Sequence, residues 1–226
     1  GPPRIVFCFV TRPAPPNSPP FPSPALFRSY REILLNHPEY SGREDILYNL
    51  ARAYEQSDRI EKTLKVLKII SRDYPRSSRA IETGFRRGEI LFQIGRFREA
   101  EIAYAEVVTI GRGTPFHEQA PFKYAWSIYR QARRIESLNA FFVVLDRKLN
   151  RNANPSELNN LSFLSRAELE LVNDSFRAVN LCFTSQGGAK ALNSYLAKKP
   201  PRIYEFILYK RLAEHFQKQK LHHEAA

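Results

Sequence analysis

The stretch Ile81–Val108, IETGFRRGEILFQIGRFREAEIAYAEVV, decides the fold of this chain. Apolar residues recur on both sides of Gly95 at the spacing of one helix face. Glycine ends a helix easily, because it adopts the left-handed conformation without steric cost. The stretch therefore predicts two helices joined by a tight turn, with the small residues Gly88 and Ala100 where the helices touch.

The same pattern returns 37 residues away in both directions. Two contact positions hold small residues, and three others hold bulky apolar residues. The sets are Ala51, Gly88 and Ala125; Thr63, Ala100 and Ser137; Leu67, Tyr104 and Phe141; Ile70, Val107 and Val144; and Tyr54, Leu91 and Ile128. A constant offset at several positions predicts an array of helix hairpins in which each unit contacts its neighbours.

This pattern resembles the tetratricopeptide repeat (TPR), in which a proline follows the second helix, as Pro38 and Pro75 do here. The resemblance covers residues 25–226. It implies an all-α, right-handed superhelical solenoid of antiparallel helix hairpins. The segment Asp73–Ala80, DYPRSSRA, is similar to the Tyr-Pro-x-Ser connector of bacterial cell-envelope TPR proteins, such as outer-membrane assembly lipoproteins and Tol–Pal-associated TPR proteins.

The predicted organisation has four parts. Residues 1–24 hold nine of the sixteen prolines and are predicted to be a disordered Pro-rich segment. Residues 25–154 are predicted to be a half repeat followed by three repeats, 155–172 an insertion or linker, and 173–226 two further TPR-like units, the last truncated. The half repeat and the truncated unit predict that the chain is a fragment of a longer array.

Composition narrows the class of function. The net charge is +12, and the basic residues are spread along the chain rather than gathered in one run. Solvated helix faces, an acidic partner, a membrane surface or nucleic acid would each accommodate such a charge. The apolar run Ile5–Val10 is too short to be a signal peptide or to span a membrane.

The sequence predicts no catalytic site, no metal site and no cofactor. His222, His223 and Glu224 adjoin one another, but neighbours on a helix point about 100° apart and do not converge on a metal ion. HExxH, CxxC and P-loop motifs are absent. Cys182 lies in an apolar run and is predicted to be a core residue.

The TPR resemblance also implies where a partner would bind, because the first helix of each hairpin lines a concave groove in such arrays. The positions that would face this groove are Tyr48, Arg52, Glu55, Phe85, Glu89, Phe92, Phe122, Trp126, Tyr129, Arg177, Leu181 and Thr184. Aromatic and Arg side chains are frequent binding hot spots. The predicted anchors are Phe85, Phe122, Trp126 and Tyr129, and the cations predicted to steer acidic groups are Arg52, Arg130 and Arg177.

The predicted function is a non-catalytic scaffold that binds a peptide or protein surface in this groove, within a bacterial envelope complex. The predicted location is the periplasm or the outer membrane, with any membrane attachment made by an N-terminal anchor outside this sequence. A cytoplasmic location is the alternative. Two other functions stay open: nucleic-acid binding on the basic faces, disfavoured because the repeated base code of helical-repeat RNA readers is missing, and an accessory arm of an enzyme outside this sequence.

Overall fold

The computed structural model describes residues 22–150 and 155–218, which form eleven α-helices and no strand. The chain divides into two compact units, one ending at Val66 (unit 1) and one beginning at Leu67 (unit 2). The predicted Pro-rich segment lies outside the described residues except for positions 22–24. The last eight residues of the predicted final unit, 219–226, also lie outside them.

Unit 1 contains α1 (Pro24–Asn36), α2 (Arg43–Gln56) and the first half of α3 (Ile60–Asp73). Helices α1 and α2 pack against each other. The rings of Phe27 and Tyr54 stack between them with their centroids 5.0 Å apart. Both rings are buried and belong to the apolar core of unit 1.

Unit 2 contains the rest of α3 and eight more helices. These are α4 (Ser78–Gln93), α5 (Phe97–Ile110), α6 (Pro115–Arg130), α7 (Arg134–Leu149), α8 (Pro155–Asn160), α9 (Arg166–Thr184), α10 (Gly188–Leu196) and α11 (Glu205–Lys218). Short turns join α4 to α5, α6 to α7 and α9 to α10, and each pair packs as an antiparallel hairpin. Because α5 also packs on α6 and α7 on α9, the hairpins stack. The predicted all-α solenoid of helix hairpins is confirmed.

The residues that repeat every 37 positions are core residues within their units, since all of them are buried. Gly88 shows why one of them must be small. A Cβ atom at this position would lie 2.6 Å from Cε1 of Tyr104, and Tyr104 is itself fully buried. The close approach of α4 to α5 therefore depends on glycine at position 88.

The turns between paired helices share one backbone geometry. Gly95 has a φ of +82°, and the equivalent residues Asp58 and Ala132 have φ values of 54° and 62°. After Gly95, the N–H of Arg96 donates a hydrogen bond to the carbonyl of Leu91 at 2.9 Å, which closes the helix end. The sequence predicted the left-handed turn at Gly95, but the alanine at position 132 did not indicate a left-handed conformation there.

Helix α6 begins earlier than the sequence indicates. Its pattern favours Pro121 as a first-turn residue, but the helix begins at Pro115 and runs through Pro121. Thr114 caps it, with its hydroxyl accepting a hydrogen bond from the N–H of His117 at 3.3 Å. A proline at the first helical position loses no hydrogen bond. Pro115, rather than Pro121, therefore favours the start of α6.

The segment 155–172 is largely helical. It contains α8 and the first residues of α9, which begins at Arg166. Ser165 and Glu168 form a capping box, in which each side chain bonds to the backbone N–H of the other residue. The residues predicted as an insertion thus include the start of the first helix of the next hairpin.

Candidate functional site

Three of the predicted groove residues lie on α2 in unit 1. Tyr48, Arg52 and Glu55 share one face, because spacings of three and four residues bring side chains together on a helix. Arg52 is exposed, whereas Tyr48 and Glu55 are half-buried. On this face of α2, the exposed cation of Arg52 therefore lies between two half-buried side chains.

Phe85 and Phe92 lie on one face of α4 in unit 2, and both are half-buried. The ring centroid of Phe85 lies 5.7 Å from that of Tyr104 and 5.4 Å from that of Phe116. The ring centroid of Phe92 lies 5.2 Å from that of Phe97. Neighbouring helices thus hold both rings in place, and each keeps part of its surface accessible.

Glu89, on the same face, has a structural role that the sequence did not indicate. Its carboxylate accepts hydrogen bonds from the hydroxyl of Tyr104 and from the ammonium of Lys123, the latter at 3.0 Å. Burial raises the pKa of Tyr104 well above its usual range, and the charge of Glu89 raises it further. Glu89 therefore connects α4 to both α5 and α6.

Phe122 and Trp126 are buried, and this corrects their prediction as binding anchors. Only 7% of the surface of Phe122 and 3% of that of Trp126 is exposed. The Trp126 ring centroid lies 5.4 Å from that of Phe141 on α7 and 6.2 Å from that of Phe122, both edge to face. Such pairs stabilise a core, so these two rings pack α6 against α7 instead of offering surface to a partner.

A set of rings and guanidinium groups lies where the α4–α5 and α6–α7 hairpins turn. We call it the turn cluster, and it consists of Phe92, Phe97, Tyr129, Arg130 and Arg134. The Cζ atom of Arg130 lies 4.4 Å from the ring centroid of Phe97 and 5.9 Å from that of Phe92. The Cζ atom of Arg134 lies 4.2 Å from the ring centroid of Tyr129. These distances are in the range of cation–π attraction, which holds the exposed Arg130 in a defined position.

The third predicted steering cation, Arg177, is exposed on α9. Its guanidinium pairs with the carboxylate of Asp174 at 2.5 Å. An exposed pair of this kind contributes little to stability. Leu181 and Thr184, further along the same helix, are half-buried.

The described residues contain no group of three His, Cys, Asp or Glu side chains that could hold a metal ion. His222, His223 and Glu224 lie outside them. Cys182 is buried, and burial raises the pKa of its thiol to about 11, which disfavours the reactive thiolate. Burial, and next the neighbouring Arg147, lower the pKa of His117. Across the described ranges no helix is long and apolar enough to cross a membrane.

Two further polar bridges connect helices that are distant in sequence, and the sequence predicted neither. In the first, the buried ammonium of Lys148 on α7 binds Glu118 on α6 and Glu168 on α9, the latter at 2.9 Å. The hydrogen bond from Lys148 is the largest of the effects that lower the pKa of Glu168 to about 2. This bridge connects two successive hairpins.

The second bridge connects α7 to the segment that precedes α11. The carboxylate of Asp146 accepts hydrogen bonds from Nε of Arg202 at 2.9 Å and from the hydroxyl of Tyr204 at 2.5 Å. Burial raises the pKa of Tyr204 far above its usual range, and the hydrogen bond to Asp146 raises it further. Because these partners are 56 and 58 residues apart, no local pattern could pair them.

No family model and no curated protein matches the sequence of this chain. Solved structures do match. The chain aligns over 83% of its length with 95% of the TPR-like repeats of a kinesin light chain from Podosopora anserina, at 12% identity and a TM-score of 0.50. It aligns over 86% of its length with 66% of a TPR protein from Parabacteroides merdae, at 15% identity and a TM-score of 0.45.

A third match, BtubC (BKLC) from P. vanneervenii, covers 78% of this chain and 76% of that protein, at 16% identity and a TM-score of 0.44. The chain spans just under two thirds of the Parabacteroides protein. At these identities the matches concern the fold alone. The fold is that of the TPR-like helical-repeat proteins, in which each hairpin contacts its neighbours in the stack.

Proposed function

We propose that this chain is a non-catalytic scaffold that binds a peptide or protein surface. The observation that carries the proposal is the turn cluster, in which an exposed guanidinium lies over two half-buried rings. Three of its members, Phe92, Tyr129 and Arg130, belong to the set of residues predicted to face the groove. The remaining predicted residues with accessible surface in unit 2 include Phe85 on α4 and Arg177 on α9.

The turn cluster suits recognition for two physical reasons. Binding hot spots are enriched in aromatic and Arg side chains, which bury much area on contact. A side chain that is already held in place loses less conformational entropy on binding. Arg130 forms no ion pair with any carboxylate in the described part of the chain, so an acidic group of a partner would gain that interaction.

Nucleic-acid binding has less support. Several cations of unit 2 are already paired with carboxylates, including Arg87 with Glu106 at 3.3 Å and Arg96 with Glu99 at 2.6 Å. Paired cations contribute less to the continuous positive surface that phosphate binding requires. We therefore propose a protein partner.

We also propose that the partner belongs to a bacterial envelope complex. The support is the resemblance of Asp73–Ala80 to the connector of envelope TPR proteins. In this connector Ser77 caps α4, with its hydroxyl accepting a hydrogen bond from the N–H of Ala80 at 3.0 Å. Immunoblotting of fractionated source cells tests the proposal: we expect the protein with the periplasm or outer membrane, and recovery with cytoplasmic markers would overturn it.

Affinity capture with mass spectrometry tests the scaffold. Arg130→Glu reverses the charge at position 130 of the turn cluster, and Arg112→Glu makes the same change at an exposed residue outside it. From nuclease-treated lysate of the source organism, we expect the wild type and Arg112→Glu to capture the same protein, and Arg130→Glu to capture at least about tenfold less. Equal capture by all three forms would show that the turn cluster is not the binding site.

A further inference from the structure

Three arginines occupy one position, directly after the left-handed turn of a hairpin: Arg59, Arg96 and Arg133. In unit 2 a glutamate three residues later neutralises each of them. Arg96 pairs with Glu99 at 2.6 Å, and Arg133 pairs with Glu136. The cation is therefore part of a local ion pair in these two turns.

Unit 1 has a lysine, Lys62, where the other two turns have a glutamate. The Cζ atom of Arg59 lies 4.9 Å from the ring centroid of Phe27, and Nζ of Lys62 lies 5.7 Å from that of Tyr54. None of the described carboxylates forms an ion pair with Arg59 or Lys62. Two cations thus lie beside each other on an aromatic pair without a neutralising group.

These two cations border a surface pocket of about 420 Å³ in unit 1. Helix α1 adds Arg28, Arg31 and Leu35 to its lining, and the stacked rings of Phe27 and Tyr54 also line it. Its only carboxylate is Glu32. Leu35 is 74% exposed, so the pocket combines four cations with an apolar side chain that is open to solvent.

The charge of the pocket is local. Residues 22–66 contain seven Lys or Arg and seven Asp or Glu residues, so this part of the chain has no net charge. Four of its seven cations nevertheless line the pocket, against one of its seven carboxylates. A short patch of this kind matches a few negative charges, whereas a long polyanion requires a continuous positive track.

We propose that this pocket binds a short acidic peptide segment that carries an apolar residue. The Asp or Glu side chains would pair with the four cations, and the apolar residue would pack on Leu35. Single-stranded nucleic acid fits less well, because it binds by stacking bases on open aromatic faces, and here the cations lie over the rings of Phe27 and Tyr54. The site lies in unit 1 and uses no residue of the turn cluster.

The test is fluorescence anisotropy with the full chain and a labelled ten-residue peptide, EDELFDEDLE, and with labelled oligo-dT of ten nucleotides. Lys62→Glu introduces the carboxylate that the two other turns have, so Arg59 gains a partner and the fold is preserved. Lys65→Glu makes the same charge change at an exposed residue of the same helix outside the pocket. Circular dichroism verifies the fold of each variant.

We expect the peptide to bind the wild type, Lys62→Glu to raise its Kd at least about tenfold, and Lys65→Glu to change it less than about twofold. Three results would overturn the proposal. One is no peptide binding to the wild type at roughly 1 mM protein, and another is equal weakening by both variants. The third is tighter binding of oligo-dT than of the peptide, lost in Lys62→Glu, which would assign the pocket to phosphate groups. Because Arg130 lies outside this site, its variants test the scaffold proposal separately.

Discussion

The α4–α7 hairpins and the α9–α11 segment are held together by different interactions. In α4–α7, small and bulky residues meet at positions that repeat every 37 residues, as Gly88 meets Tyr104. In α9–α11 this repeat lapses, and the buried Asn180 takes the small position. There, Asp146 on α7 binds Arg202 and Tyr204 instead.

The difference shows what makes a helical array recognisable from its sequence. Apolar packing repeats with the helices, so each hairpin carries the same pattern. A hydrogen-bonded bridge needs only two or three polar residues, and their positions follow from the fold rather than from a repeat. The three predictions below test whether the two regions depend on these different interactions.

The largest expected effect is in the periodic region. Gly88→Ala places a methyl group against the buried ring of Tyr104, with a Cβ–Cε1 distance of 2.6 Å before relaxation. We expect the free energy of unfolding, measured with urea, to fall by about 2 to 3 kcal/mol. Gly84→Ala, one turn earlier in α4, meets only Cγ2 of Val107 at 3.1 Å and a hydroxyl at 3.9 Å. We expect this control to cost at least about 1 kcal/mol less than Gly88→Ala, because it meets a single methyl group instead of a buried ring; equal effects would show that position 88 is not the point of close contact.

The second effect is in the bridged region. Asp146→Ala leaves the buried hydroxyl of Tyr204 and the guanidinium of Arg202 without their acceptor, and we expect a loss of about 1 to 2 kcal/mol. Hydrogen exchange should accelerate in α11 and much less in α4 and α5. The control is Asp174→Ala, whose exposed pair with Arg177 should be worth less than about 0.5 kcal/mol. Unchanged exchange in α11 would mean that apolar contacts, not the bridge, hold this helix.

The smallest effect concerns the turns of the periodic region. Gly95 and Ala132 share the left-handed conformation, and no atom lies within 4 Å of a Cβ built on Gly95. We expect Gly95→Ala to cost about 1 kcal/mol through backbone strain alone. Ala132→Gly should stabilise by about 0.5 kcal/mol, because relief of strain exceeds the entropy gained by the unfolded chain. Thermal unfolding measures whether each variant is more or less stable than the wild type. A change in stability of the same sign in both variants would contradict a shared turn geometry.

Much of the fold could be predicted because helix packing leaves a periodic record. The small residues at Gly88 and Ala100 and the turn at Gly95 all follow from local chemistry and from the repeat. The left-handed turn at Ala132 could be predicted only from its register, since alanine has no preference for that conformation. The start of α6 was misplaced because Pro121 suits a first-turn position, whereas the helix begins at Pro115 behind the Thr114 cap.

The candidate site was harder to predict. The spacing of residues on a helix shows which side chains share a face, but not which face a neighbouring helix covers. Trp126 shares its helix with the exposed Arg130, yet Phe141 of α7 packs against its ring. The pocket of unit 1 also had a signal in the sequence, the lysine at the position of two glutamates. The lysine alone does not indicate a binding site; it does so only together with Arg28 and Arg31, which line the same pocket.

The sequence by itself determined that this chain is an array of helix hairpins, because burial of small and bulky residues repeats along the chain with the period of the structure. Only the tertiary structure decided which aromatic side chains keep accessible surface, which cations are neutralised, and how Asp146 and Lys148 connect distant helices. The bridges depend on distances between residues that are 20 to 58 positions apart, and the burial of Trp126 depends on how a second helix packs against it. A local pattern can indicate an ion pair three residues apart, but it contains no information about contacts between side chains on distant helices.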